Sequence, residues 1–111
     1  MDLATKTQGN AVIVSLGGQI DAASAPELNT KLTQTVNSGL TRLVINMEKL
    51  EYINSAGLRA LLAAAKLLNT KSGKLVLVGL QGTVKQVFEI SGLYSVFAVA
   101  ATDAEALKQL A

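Results

Sequence analysis

Short apolar runs alternate with amphipathic stretches along the whole chain. Ala11-Val12-Ile13-Val14-Ser15-Leu16 is rich in β-branched residues and lies between Gly9-Asn10 and Gly17-Gly18, the pattern of a strand. Leu3 to Gln8 can pair with it as a hairpin turned at Gly9-Asn10. Leu43-Val44-Ile45 predicts a short strand, and Leu75-Val76-Leu77-Val78 another, stopped by Gly79. Val96 to Val99 predicts the last. Met47 to Tyr52 reads as a polar connector.

Between these runs the period changes from two to about four. Leu28, Leu32 and Val36 recur at helical spacing behind Ser24-Ala25-Pro26-Glu27, where Ser24 and Glu27 have capping-box spacing. Pro26 is tolerated in a first turn because its missing N–H had no intrahelical partner. A second helix is expected from Ser55 toward Ser72-Gly73, with Leu58, Leu61, Leu62, Ala65 and Leu68 on one face. A third runs from about Gly82 to Ser91, with Val84, Val87 and Phe88 inward and Gly92 placed to end it. Thr102-Asp103-Ala104-Glu105 repeats the capping-box spacing before Leu107 and Leu110.

The order is therefore ββαβαβαβα. Apolar strands separated by helices imply an α/β fold with a mostly parallel sheet of four to five strands and sequential right-handed crossovers. No linker or repeat interrupts it, so residues 1–111 are expected to form one domain.

Composition narrows the chemistry. Half of the 111 residues are apolar and 16% are charged, which excludes a disordered chain. There is no Cys and no His. That removes disulfides, thiolate metal sites, the thiol nucleophile and the serine–histidine triad. A role without catalysis, cofactor or metal is expected. Net charge is +2, the basic residues are dispersed and aromatics are 4%, so no nucleic-acid surface is expected. Lys66, Lys71 and Lys74 fall where the second helix should end, suited to its negative pole. The most apolar helical stretch, Leu58 to Leu68, contains Arg59 and Lys66 and is too short to cross a bilayer. The amino terminus lacks a signal-peptide pattern. A cytoplasmic protein without membrane insertion is expected.

Two places carry candidate chemistry. Gly17-Gly18-Gln19-Ile20-Asp21 lies between a strand and a helix but fits neither the dinucleotide fingerprint nor the P-loop. Asp21 puts a carboxylate at the sheet edge where sites form in open α/β folds. It suits a turn or cap as well. In Tyr52-Ile53-Asn54-Ser55-Ala56-Gly57-Leu58, Asn54 or Ser55 can cap the second helix. Gly57 costs up to about 1 kcal/mol of helix propensity in that first turn, so a close approach to its backbone is implied. Without His, Ser55 has no activating base. A serine at a helix N-terminus is better suited to carry a phosphoryl group, which the free N–H groups and the dipole stabilise.

Ile53-Asn54-Ser55-Ala56-Gly57-Leu58 resembles the phosphorylation motif of the STAS domain of bacterial anti-sigma factor antagonists. Gly18 to Leu28 resembles that family's first loop and helix, and Val84 to Leu93 its third helix and following turn. The resemblance implies a βα superhelix and partner switching. The unphosphorylated protein would bind a serine-kinase anti-sigma factor and be released when that kinase, using ATP, phosphorylates the serine. A PP2C-type phosphatase would reverse the step. Carried across, Ser55 is the phosphoacceptor, and Asp21, Asn54, Gly57 and Leu58 are partner-binding. The family often has Asp before the serine, where this chain has Asn54. The alternatives are a STAS subunit of another sensory partner switch or of an ABC-type lipid transporter, neither phosphorylated, and a small enzyme or nucleotide-binding protein using Asp21.

Overall fold

In the computed structural model, which describes residues 1–111, five strands form one sheet in the order β1-β2-β3-β4-β5. β1 (Asp2–Gln8) is antiparallel to β2 (Ala11–Ile20), and β3 (Arg42–Ile53), β4 (Lys74–Val78) and β5 (Ala98–Ala100) follow in parallel. The crossovers are α1 (Ala25–Asn37), α2 (Ser55–Thr70) and α3 (Gly82–Ser91), with a 3₁₀ turn at Leu93–Ser95 before β5. α4 (Asp103–Leu110) closes the chain. This is the expected α/β fold and element order.

Strand alternation sorts the side chains into two layers. Val12, Val14, Leu16, Leu43, Ile45, Leu75 and Leu77 face α1, α2 and α3 and join Leu28, Leu32, Leu61, Leu68 and Phe88 in the main core. Ile13, Val44, Val76 and Val78 face the other way, onto Ala106 and Leu110 of α4. Each fully buried Leu or Phe contributes roughly 1.5–3 kcal/mol, so the main core of 22 buried residues outweighs the six-residue layer under α4. Leu28, Leu32 and Val36 form the buried stripe of α1 that their spacing predicts. α3 ends on Gly92, whose φ of 73° is the left-handed cap conformation, and Leu93 packs back on the core. Thr102 caps α4 by accepting from the Glu105 N–H at 3.2 Å. Two more α4 side chains reach β5 and its end: Gln109 Nε2 donates to the Val99 carbonyl, and Glu105 accepts from the Ala101 N–H.

Several local expectations are corrected. β2 does not stop at Leu16 but continues through Gly17-Gly18 to Ile20. Met47 to Tyr52 is not a connector; it is the second half of β3. Between Ser15 and Gly17, β3 uses Asn46 to Lys49, one residue more, and between Gly18 and Gln19 it uses Leu50 to Tyr52. These two bulges space the inward residues Met47, Leu50 and Ile53 by three, so the stretch lacks strand alternation. The last strand is Ala98–Ala100 rather than Val96 to Val99. The buried line of α2 runs through Gly57, Ala60, Leu61, Ala64 and Leu68, leaving Leu58, Leu62 and Ala65 at its half-buried margin. No basic residue lies in the last turn of α2; Lys66 precedes it and Lys71 is the C-cap.

Ser24 makes no side-chain cap. Its hydroxyl accepts from the Asp21 N–H at 3.0 Å and donates to the Asp21 carboxylate at 3.1 Å. Its backbone is already helical, at φ −94° and ψ −20°, so it lacks the extended conformation a cap requires.

Candidate functional site

β2 and β3 end in register, with Ile20 beside Ile53, so the residues that follow them start out side by side. Asp21 follows Ile20, and Asn54 follows Ile53. The Asn54 N–H donates to the Ile20 carbonyl at 3.0 Å, tying the start of α2 to the end of β2. Asn54 is extended, at φ −97° and ψ −178°, and its Oδ1 accepts from the Gly57 N–H at 3.0 Å. Asn54 is therefore the N-cap, which leaves Ser55 as the first helical residue.

Ser55 is exposed. As first and second residues of the helix, Ser55 and Ala56 have backbone N–H groups with no intrahelical acceptor. No acidic residue occupies the first turn of α2. A phosphoryl group on Ser55 Oγ would thus meet the positive end of the helix with no acid on that turn to repel it.

Gly57 is buried. A Cβ there would lie 2.7 Å from Ile20 Cγ2 and 2.7 Å from Ile53 Cγ1. The close approach inferred from the sequence is real, but it comes from the protein's own strand ends. The helix can start directly over them only with hydrogen in that place. Gly57 therefore offers no exposed side for a partner; it sets the height at which Asn54 and Ser55 stand. Leu58 is half-buried and packs against the main core.

Asp21 is exposed and organises its own turn, accepting from the Ala23 and Ser24 N–H groups at 3.1 Å each. The Ser24 amide, followed by the Ser24 hydroxyl, holds its carboxyl below the ordinary value of 3.8. A lowered carboxyl stabilises the fold above its unfolded value, and that contribution disappears as the pH falls through the folded value. The turn therefore has its full carboxylate support near neutral pH and loses it only in acid below 3.8.

Of the five residues singled out from the sequence, Asp21 and Ser55 are exposed, Asn54 and Leu58 half-buried and Gly57 buried, all around the same strand ends. Arg59 is not among the residues singled out from the sequence. It is exposed, one turn beyond Ser55, and lines a shallow groove between α1 and α2 with Ala22, Pro26, Asn29 and Ala63. It stands four residues from Ser55, the spacing of neighbours on one helix face.

Residues 2–106 match the STAS domain family. The chain belongs to that family. BtrV of Bordetella bronchiseptica, provisionally named an anti-sigma factor antagonist, is 44% identical over 89 residues, covering 80% of this chain and 77% of its own. The anti-sigma-B factor antagonist of Staphylococcus aureus is 31% identical over 93 residues, or 84% and 86% of the two chains. The crystal structure of an anti-sigma factor antagonist from Mycobacterium paratuberculosis superposes with a TM-score of 0.89 at 25% identity, covering 98% of this chain and 92% of that one. These relatives are regulators by name. No helix of the structure is long and apolar enough to cross a membrane.

Proposed function

We propose that this STAS protein is an anti-sigma factor antagonist that works by partner switching in the cytoplasm as one domain. Unphosphorylated, it binds a serine-kinase anti-sigma factor through the surface around Asp21, Asn54, Ser55 and Leu58. The kinase transfers the γ-phosphoryl group of ATP to Ser55 Oγ; ADP leaves with the β-phosphate oxygen, the hydroxyl proton is lost, and the complex dissociates. A PP2C-type phosphatase hydrolyses the phosphoserine and restores the binding form. The names of the relatives support the class of partner. The observation that carries the switch is Ser55 itself, exposed as the first residue of α2 behind a formed Asn54 cap.

The test is affinity capture from the source cell, followed by incubation of the purified pair with ATP. A serine kinase should be recovered, and the intact mass should rise by one phosphate. Ser55→Ala should abolish the rise. Full modification of the alanine variant, or recovery of a membrane transporter in place of the kinase, would refute the reading.

A further inference from the structure

α2 carries two charged side chains, Arg59 and Lys66, and no acid. The positions three and four residues from Arg59 are Ser55, Ala56, Leu62 and Ala63, so the helix gives this guanidinium no carboxylate partner. The groove it lines is made of small side chains and Asn29, and Arg59 is its one charged residue.

Ser55 and Arg59 are four residues apart and both exposed. On a helix that spacing brings their Cβ atoms to about 5–6 Å. Every side chain on a helix leans toward the N-terminus, so Arg59 leans toward Ser55 and Ser55 leans past the helix end. A phosphate on Ser55 would present three acceptor oxygens within reach of a planar donor fork that binds two at once.

We propose that Arg59 is the intramolecular counter-ion of phosphorylated Ser55, a positioning residue that clamps the phosphate over the helix start. The proposal rests on the reading of Ser55 as the phosphoacceptor. In the unphosphorylated protein Arg59 stands over the groove between α1 and α2, offering a positive charge to a partner. After phosphorylation the same side chain turns to its own helix. One modification thus adds a dianion and withdraws a cation from the adjoining groove.

The pair can be tested without any kinase, by placing phosphoserine at position 55 during translation. Phosphorus NMR then gives the second pKa of the phosphate in the parent protein and in Arg59→Gln. Loss of a neighbouring guanidinium should raise that pKa by about half a pH unit, and added salt should narrow the difference. Arg59→Lys should recover part of it, and Lys66→Gln, two turns farther along, should leave it in place. Asp21, and Glu27 in the first turn of α1, are the same in all four proteins, so their repulsion cancels. Equal values in the parent and Arg59→Gln would overturn the proposal, as would an equal effect of Lys66→Gln. Circular dichroism confirms that each variant is folded. Failure of the kinase to modify Ser55 would count against the function proposed above and leave this result standing.

Discussion

At Gly57 two residue-scale effects oppose each other. Alanine would gain up to about 1 kcal/mol of helix propensity. Its Cβ would also be driven to 2.7 Å from both Ile20 and Ile53, and overpacking of this kind costs about 1–3 kcal/mol. The two isoleucines are themselves buried and have little room to move, so the clash wins. Gly57→Ala should lower stability by about 1 kcal/mol, the middle of the roughly 0–2 kcal/mol that remains once the full propensity gain is subtracted, read as a reduced urea midpoint at unchanged slope. An unchanged or raised midpoint would mean the isoleucines yield. Asn54 separates folding from recognition. Asn54→Ala should cost about 1 kcal/mol through the lost cap. Asn54→Asp keeps a capping oxygen and should hold the melting temperature while speeding phosphorylation, or at least not slowing it. A clear fall in rate with folding intact would show that the amide itself is needed. The cap was legible in the sequence because Asn-Ser stands at the junction of a strand and an apolar helix. The reason for Gly57 was not, because the atoms that exclude a Cβ there include those of Ile20, which only the sheet brings close.

Elements with one steady period were legible, and elements that change period were not. α1 repeats its apolar residues every fourth position, so its buried stripe could be read directly. β3 begins as an unbroken apolar run and continues with inward residues every third position, because two bulges each insert a residue against β2. Neither strand nor helix has that period, and the stretch therefore resembles a connector. Leu50 decides between the two readings. In a connector its truncation would cost almost nothing. As a core residue 2% exposed, Leu50→Ala should cost about 2–5 kcal/mol, a large share of the roughly 5–15 kcal/mol that holds a domain together. Chemical denaturation would settle it, with a loss under about 0.5 kcal/mol contradicting the assignment of Leu50 to the core. The same bulges matter for the site, because they bring Ile53 level with Ile20 and so aim Asn54 and Ser55.

On the scale of the whole molecule, three helices and the main core lie on one side of the sheet and α4 on the other, while Ser55 stands outside both layers at the strand ends. Phosphate adds about −1.5 to −2 charges at neutral pH, and a helix N-terminus favours such a charge by about 0.3–1 kcal/mol. The fold should therefore tolerate the modification. Phosphorylated protein, or Ser55→Glu as an imperfect mimic, should melt within a few degrees of the parent and yet lose kinase affinity at least roughly thirtyfold, the loss of one close contact. Scanning calorimetry and titration calorimetry read the two effects separately. A melting point lowered by about ten degrees would mean that the switch acts through the fold, since a shift that large corresponds to more than about 1 kcal/mol. The placement of α4 has a consequence of another kind. An outer strand with free peptide groups is a template on which other chains can grow into aggregates. Here Gln109 occupies the Val99 carbonyl and Glu105 the Ala101 amide, while Lys6 sets a charge in the middle of β1 at the opposite border. Under the switch proposed above, these features disfavour edge-to-edge pairing with other copies while the released protein is free.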